Sequence, residues 1–279
     1  MRKIRNVFLL ILLFVSCNVF GQVHYPGRVE VIGAEEIVFD YSADACYTED
    51  IPDGPAQAFR DADGKIQMIA AHKIAYRMIG NDFNSLVRDC SNGPVFTSDE
   101  SSVAGSYNNQ EWLAGVYTSD GKTIYSIVHN EYKPLGDANW QIAWYNTLTF
   151  ATSTDTGRNY THATPPNHFL AGIPYRYQAS GPMGIFGGSR PIYNPNDGYY
   201  YAMVHLEAYN LQNWGVGIIR TQTLDDPDSW RGWDGEGYNV QFIDPYNETV
   251  DNPANHILAP VSRANIGKMC DNLTYNTYL

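Results

Sequence analysis

The stretch "DGKTIYSIVHNEY", residues 120–132, decides the fold. An Asp-Gly pair opens it, an alternating apolar run follows, and the run closes on His129, Asn130, Glu131 and Tyr132. Asp-Gly between two strand-like runs marks a tight hairpin, because glycine tolerates positive φ. The preceding run "WLAGVYTS" supplies the other strand of that hairpin. The second strand therefore delivers a cluster of polar side chains to one place.

The pattern recurs twice. "DGKIQMIAAHKIAY" (63–76) and "DGYYYAMVHLEAY" (197–209) align with it, with turns 57 and 77 residues apart. His72 and His129 each fall nine residues after the Asp of their turn, and His205 falls eight after Asp197. Strand-like runs "AQAFRD" and "RPIYNPN" precede these two turns, and third strands follow in "AWYNTLTFATSTDTGRNY" and "WGVGIIRTQTL". Helical periodicity is almost absent. Antiparallel units of three or four strands at such intervals are the signature of propeller blades. The sequence thus predicts an all-β protein, a β-propeller, with blade one at 53–95, blade two at 110–163 and blade three at 186–243. The segment before Asp53 is expected to add an outer strand that closes the ring. "LTYNTYL" at the end reads as the opening of a fourth blade, and an unpaired edge there predicts a C-terminally incomplete domain.

Two smaller features agree. "STDTGRNY" (153–160) fits the self-bonded hairpin turn S-x-D-x-G-x-x-aromatic known as an Asp-box. "DDPDSWRGWDG" (225–235) places Trp230 and Trp233 on a loop, where packing between blades outweighs sugar stacking.

The composition, 44% hydrophobic and 14% aromatic with 21 tyrosines, is globular and rich in flat rings with polar edges, which suit sugar surfaces. A formal net charge of −12 argues against nucleic acid or an anionic membrane as partner. The leader "MRKIRNVFLLILLFVSCNVFGQ" has basic residues, a short apolar run and small residues, a signal peptide at 1–21 rather than a membrane span. Cleavage after Gly21 leaves one domain at 22–279; the alternative is a lipid anchor on Cys17, from the loose lipobox "FVSC". Either route predicts an exported protein, periplasmic or extracellular. Of the remaining cysteines, Cys46 and Cys90 can pair and leave Cys270 over, or all three can be free thiols.

Polar residues at equivalent blade positions converge around a propeller's mouth. Glu131 and Glu207 each lie two residues beyond a histidine and share its face. Glycoside hydrolysis needs a proton donor and a base or nucleophile across the scissile bond. Asp53, in "EDIPDGPAQAFRD", precedes the first inner strand, so Asp53, Glu131 and Glu207 are the candidate catalytic carboxylates. His72, His129, His205, His256 and Arg190 are candidate substrate-binding residues, and the histidines can also donate protons. No metal site has ligand spacing; three histidines around an axis leave an axial metal ion as an option.

The "D-x-P…RDADGKIQMIA" opening, with "DGYYYAMV" and "WGVGIIRTQTLDDPDSW", resembles the five-bladed propeller glycosidases of the arabinanase, xylosidase, levansucrase and invertase kind. The likeness covers most of the chain at the level of blade pattern. It implies five blades, of which this chain ends in the fourth, and an enzyme acting at its axis on plant or algal oligosaccharide or polysaccharide. Asp53 matches the family's general base. Gly115 stands where an inner-strand Asp is usual, and Ser189 where the Glu acid is usual. A non-catalytic carbohydrate-binding propeller and a polysaccharide lyase using His or Tyr with Arg190 are the alternatives.

Overall fold

Each Asp-Gly pair turns a hairpin with its glycine at positive φ, +79° at Gly64, +69° at Gly121 and +76° at Gly198, a conformation without steric cost for glycine. The structure, a computed structural model, describes residues 30, 32–70, 72–178, 180–207, 211–261 and 272–275. The expected leader, Cys17 and Cys270 lie outside the described residues. Two compact units divide the chain at Glu36 and Ile37; in the first, the described residues are exposed and carry no helix or strand. No helix among the described residues is long and apolar enough to cross a membrane.

The second unit is nearly all β. In blade one, β1 (Ala56–Arg60), β2 (Ile66–Ala70), β4 (Arg77–Gly80) and β5 (Val87–Arg88) form an antiparallel sheet in that order, while β3 (Ile74–Ala75) pairs with β6 (Phe96–Thr97). Blade two consists of β7 (Gln110–Tyr117), β8 (Ile124–Tyr132) and β9 (Ala143–Ser153), with short β10 (Thr161–His162) and β11 (Phe169–Ala171) on the edge of β9. Blade three has β12 (Gly181–Phe186), β13 (Ile192–Asn194), β14 (Tyr199–Glu207), β15 (Gly215–Thr221), β16 (Arg231–Gly232) and β17 (Val240–Gln241). Within each of these groups neighbouring strands pair antiparallel and largely follow chain order, the meander pattern of a propeller blade.

The structure departs from the sequence expectations in three places. The segment before Asp53 supplies no strand among its described residues. It forms a single helical turn, Tyr41–Asp44, and a loop tied to blade one by a Cys46–Cys90 disulfide. The pairing of these two cysteines is the first of the two options left open by the sequence. Residues 272–275 carry no ladder, and 276–279 lie outside the described residues. Blade three begins earlier than residue 186, because β12 starts at Gly181, pairs in parallel with β9 and joins blades two and three into one sheet. The inner strand then breaks between β12 and β13, where Gly187 and Gly188 take positive φ and the Ser189 hydroxyl accepts from the Met203 amide at 3.0 Å.

Blade two is buried on both faces, as its nearly continuous apolar strands require. Ile124 and Val128 of β8 enter a core with Phe59, Ile69 and Phe96 of blade one. Ile127 enters a second core with Leu148, Ile185 and Leu206 on the blade-three side. The period-2 alternation of a strand puts His129 and Glu131 on that same side as Ile127. The Asp-box turn holds itself together: Asp155 Oδ1 accepts from the Arg158 and Asn159 amides at 3.1 and 3.0 Å, and Ser153 Oγ accepts from the Gly157 amide at 2.9 Å. Trp230 is 2% exposed and packs in the second core, as expected for a residue between strands.

His162 staples blades one and two. Its Nδ1 lies 3.0 Å from Glu111 Oε1, its Nε2 3.0 Å from the Thr97 carbonyl, and its ring 4.4 Å from that of Phe96. Burial pushes the imidazole pKa down, but Glu111, then Asp99 and the Thr97 carbonyl, outweigh it, so the net shift from 6.5 is upward. A folded pKa above the unfolded one means that the pair's stabilisation is complete below about pH 6.5 and is lost as pH rises through the higher folded value. The urea midpoint is therefore expected to fall between pH 6 and 9 in the native protein and to fall less in Glu111→Gln; an equal slope in both would show that this pair does not set it.

Candidate active site

Register builds the site. His129 of β8 faces Trp112 of β7, and Glu131 faces Gln110, so Trp112, His129 and Glu131 project from one surface of blade two. Trp144, at the start of β9, stands on the same surface. Together with Asp53, Gly54 and Pro55 from the strandless segment and Gly187 and Gly188 from the break in blade three, these side chains wall a cavity of about 120 Å³. Asp53 is held there by one bond, its Oδ2 accepting from Trp112 Nε1 at 2.9 Å.

Glu131 is 8% exposed and lies between two nitrogens. His129 Nε2 is 3.1 Å from its Oε1, and Lys133 Nζ is 2.5 Å from its Oε2; Lys133 also pairs with Asp137 at 3.2 Å. Burial raises the Glu131 pKa, but His129 and Lys133 more than offset that, and the carboxyl ends below its ordinary value of 4.5. Lys133 is correspondingly held above its usual value: burial lowers it, and Glu131 and Asp137 together win. His129 Nδ1 and the Trp144 indole nitrogen are buried and have no hydrogen-bond partner among the described residues. The site thus offers one hydrated carboxylate, one fixed carboxylate, an oriented imidazole and two aromatic walls.

The other candidates lie elsewhere. His205 Nε2 is 3.3 Å from Glu207 Oε1, the same pairing as His129 with Glu131, but Phe186 separates the two: its ring is 5.7 Å from His129 and 4.5 Å from His205. Glu131 pairs with Asn146, Asn146 with Gly184 and Gly184 with Glu207 across the joined sheet. Three strand spacings put the two glutamates roughly 14 Å apart along that row, and Glu207 does not line the cavity. His72 lies beyond the end of β2, so its sequence alignment with His129 and His205 does not make it a strand residue. Its Nδ1 is 2.6 Å from the Tyr47 hydroxyl, and burial lowers its pKa against the opposing charge of Asp53. Arg190 sits near Tyr117, at the far end of β7 from Trp112, and does not line the cavity. His256 is clamped at the surface by the Gln241 carbonyl and Asp251, at 2.7 and 2.8 Å.

The three repeat histidines therefore form no axial metal cluster. Among the described residues the metal-like grouping is Asp99, Glu111 and His162, whose carboxylate and imidazole already serve the blade staple. A larger cavity, about 560 Å³, lies by blade one between Asp61, Gln67, Arg77, Asp89 and Arg158. Its polar groups are spent on one another, Gln67 Nε2 on Asp61 at 2.6 Å and Arg77 on Asp89 at 2.8 Å. Lys133, Trp112 and Trp144 were not singled out from the sequence. The signal for Lys133 was present, since 129, 131 and 133 continue the same alternation.

The position where the related pattern has an Asp has no room for one: a Cβ on Gly115 would lie 2.5 Å from the Ser189 carbonyl oxygen. Ser189, where that pattern has a Glu, is fully buried and bonded to the Met203 main chain through its amide and its hydroxyl. The inner segments of blades two and three touch there through backbone alone. Gly115→Asp is expected to destabilise the protein by about 3 kcal/mol or more, since overpacking and a buried carboxylate add; thermal unfolding measures it, and a melting temperature equal to that of the native chain would contradict the contact.

No family model matches the chain, and no curated protein is similar to it. Among solved structures it is similar to an α-L-arabinofuranosidase from Clostridium thermocellum, with 9% identity over 70% of this chain and 55% of that one and a TM-score of 0.44. It is also similar to a β-1,2-mannobiose phosphorylase from Listeria innocua, with 14% identity over 64% and 43% of the two chains and a TM-score of 0.41. An endo-1,5-α-L-arabinanase from Thermotoga petrophila gives 11% identity over 65% and 39%, with a TM-score of 0.38. The chain spans between 39% and 55% of the length of these three proteins.

Proposed function

We propose that this protein is a propeller of glycosidase type that hydrolyses a glycosidic bond in a plant or algal oligosaccharide at the cavity shared by Asp53, His129 and Glu131. The observation that carries the reading is convergence: a hydrated carboxylate and a carboxylate-bound imidazole, from separate segments, meet between two tryptophans in one cavity. Tryptophan faces and a few placed polar groups are what a sugar ring requires.

The roles follow from exposure, hydrogen bonding and the charge of Glu131. Asp53 takes a proton from the attacking water, whose oxygen bonds to the anomeric carbon. Glu131, with its pKa lowered, is ionised at neutral pH and is the wrong form for a proton donor. It orients His129 instead by receiving Nε2–H; Nδ1 is enclosed in the free protein and gives its proton to the departing glycosidic oxygen, as the carbon–oxygen bond breaks, only once the ring has shifted toward the cavity. Solvent then returns a proton to His129 and removes one from Asp53. Glu207 takes no part in this scheme. The oxidised Cys46–Cys90 pair and the leader at 1–21 support an exported enzyme, with Cys17 as the lipid attachment point if the leader is a lipoprotein signal.

Recognition without cleavage is the second reading, favoured by Gly115 having no space for a carboxylate and by a buried serine, Ser189, at the position of the other. A lyase loses its support with Arg190 outside the cavity. The test measures new reducing ends and ultraviolet absorbance on a panel of plant and algal oligosaccharides for the native chain, Asp53→Asn and His129→Gln. Reducing ends without absorbance, reduced about 10²- to 10⁴-fold in each variant at unchanged melting temperature, are expected for a general base and a general acid. Binding without release by the folded native chain supports the second reading.

A further inference from the structure

The cavity is small for the molecule that it is read as cleaving. At about 120 Å³ it falls below the roughly 300–1,000 Å³ of ordinary ligand pockets. It encloses one end of an oligosaccharide, and the remaining units must lie on the rim.

An unbroken series of rings runs from the cavity to solvent. Trp112 contacts His129 at 5.5 Å, His129 contacts Phe186 at 5.7 Å, Phe186 contacts Trp144 at 5.5 Å, and Trp144 contacts Trp140 at 5.5 Å. Trp140 is 42% exposed and stands at 86° to Trp144, so the two indoles make a corner with Trp144 on the cavity wall and Trp140 toward solvent. Leu135 and Ile142, in the same β8–β9 connection, are exposed as well. A connection that shows three large apolar side chains to water is normally a mobile one, yet this one is braced. Gly136 N donates to the Lys133 carbonyl at 2.9 Å, Asn139 Nδ2 to the Leu135 carbonyl at 2.7 Å, and Ile142 N to the Asn139 carbonyl at 3.0 Å. Lys133 ties the connection to Asp137 on one side and to Glu131 on the other. The exposed indole is thus held in place by the charged network that serves the site.

We propose that Trp140 is a stacking platform for sugar units that extend out of the cavity past Trp144, so that the substrate is an uncharged oligosaccharide chain rather than a free disaccharide. The proposal rests on the reading of the cavity as a glycosidase site, from which it inherits the position of the first unit. An indole face supplies apolar contact to the C–H face of a sugar ring, and a chain of formal charge −12 disfavours acidic sugars.

The test compares the full chain with Trp140→Ala and Trp140→Phe on arabinohexaose, xylohexaose and mannohexaose and on the three matching disaccharides. Trp140→Ala is expected to lose roughly tenfold more kcat/KM on a hexasaccharide than on its disaccharide, mainly through KM, with Trp140→Phe recovering most of it. Equal losses at both lengths, or none on a hexasaccharide that is cleaved, would overturn the platform. If no sugar is cleaved, calorimetric binding separates the two claims. A hexasaccharide that binds the folded native chain and binds Trp140→Ala more weakly keeps the platform while the enzyme reading falls. No binding of any hexasaccharide, or binding that Trp140→Ala leaves unchanged, removes the platform itself.

Discussion

Two parallel strands, β9 and β12, approach so closely at Asn146 and Gly184 that a Cβ on the glycine would lie 2.1 Å from the Asn146 carbonyl oxygen. Everything between blades two and three follows from that contact. It turns two blades into one sheet, aligns Glu131, Asn146, Gly184 and Glu207 in a single row, and brings Phe186 against His129. A second backbone contact, Gly115 on Ser189, closes the space between the inner segments. The open volume lies beside these contacts, where the segment around Asp53 meets Trp112 of blade two. The location of the candidate chemistry is thus a packing result before it is a chemical one.

Charge at that location is arranged against a general trend. The protein is acidic overall, yet the enclosed carboxylate of the cavity, Glu131, is matched by a lysine and a histidine drawn from the same strand end. A buried carboxylate without partners would cost several kcal/mol and would take up a proton. Here the partners reverse the shift, which fixes Glu131 as an anion and makes it a support for its neighbour. The equivalent pair His205–Glu207 has the same spacing without a lysine two residues further on, since position 209 is a tyrosine. Similar His-x-Glu patterns in two blades therefore differ in the residue that follows them in sequence.

Much of the architecture was legible in the chain. Asp-Gly followed by alternating residues names a hairpin three times over, and S-x-D-x-G names a turn that bonds to itself, because both signals are satisfied within a few residues. What was not legible depends on distant segments. The parallel ladder of β9 and β12 joins residues about forty positions apart, and no local pattern marks a glycine as the place where another backbone will press. The alignment of His72 with His129 and His205 failed for the opposite reason: the spacing from the turn was kept, but β2 stops at Ala70 and leaves the histidine to a tyrosine from outside the repeat. Of the candidate site, Asp53, His129 and Glu131 came from pattern. Trp112, Trp144 and Lys133 emerged only when the strands were placed side by side.

Asp53 arrives on a stretch that belongs to no ladder, so its position is not inherited from sheet hydrogen bonding as that of His129 is. What anchors the stretch is the Cys46–Cys90 bond to the outer side of blade one, supported by Asp50 on Arg88 and by the Cys46 amide on Asp50 at 2.9 Å. Only Ile51 and Pro52 separate Asp50 from the carboxylate that faces the cavity. The covalent bond therefore shortens the free path of the segment that carries Asp53: reducing it would leave that wall of the mouth to non-covalent ties, among them Asp50 on Arg88 and Asp53 on Trp112.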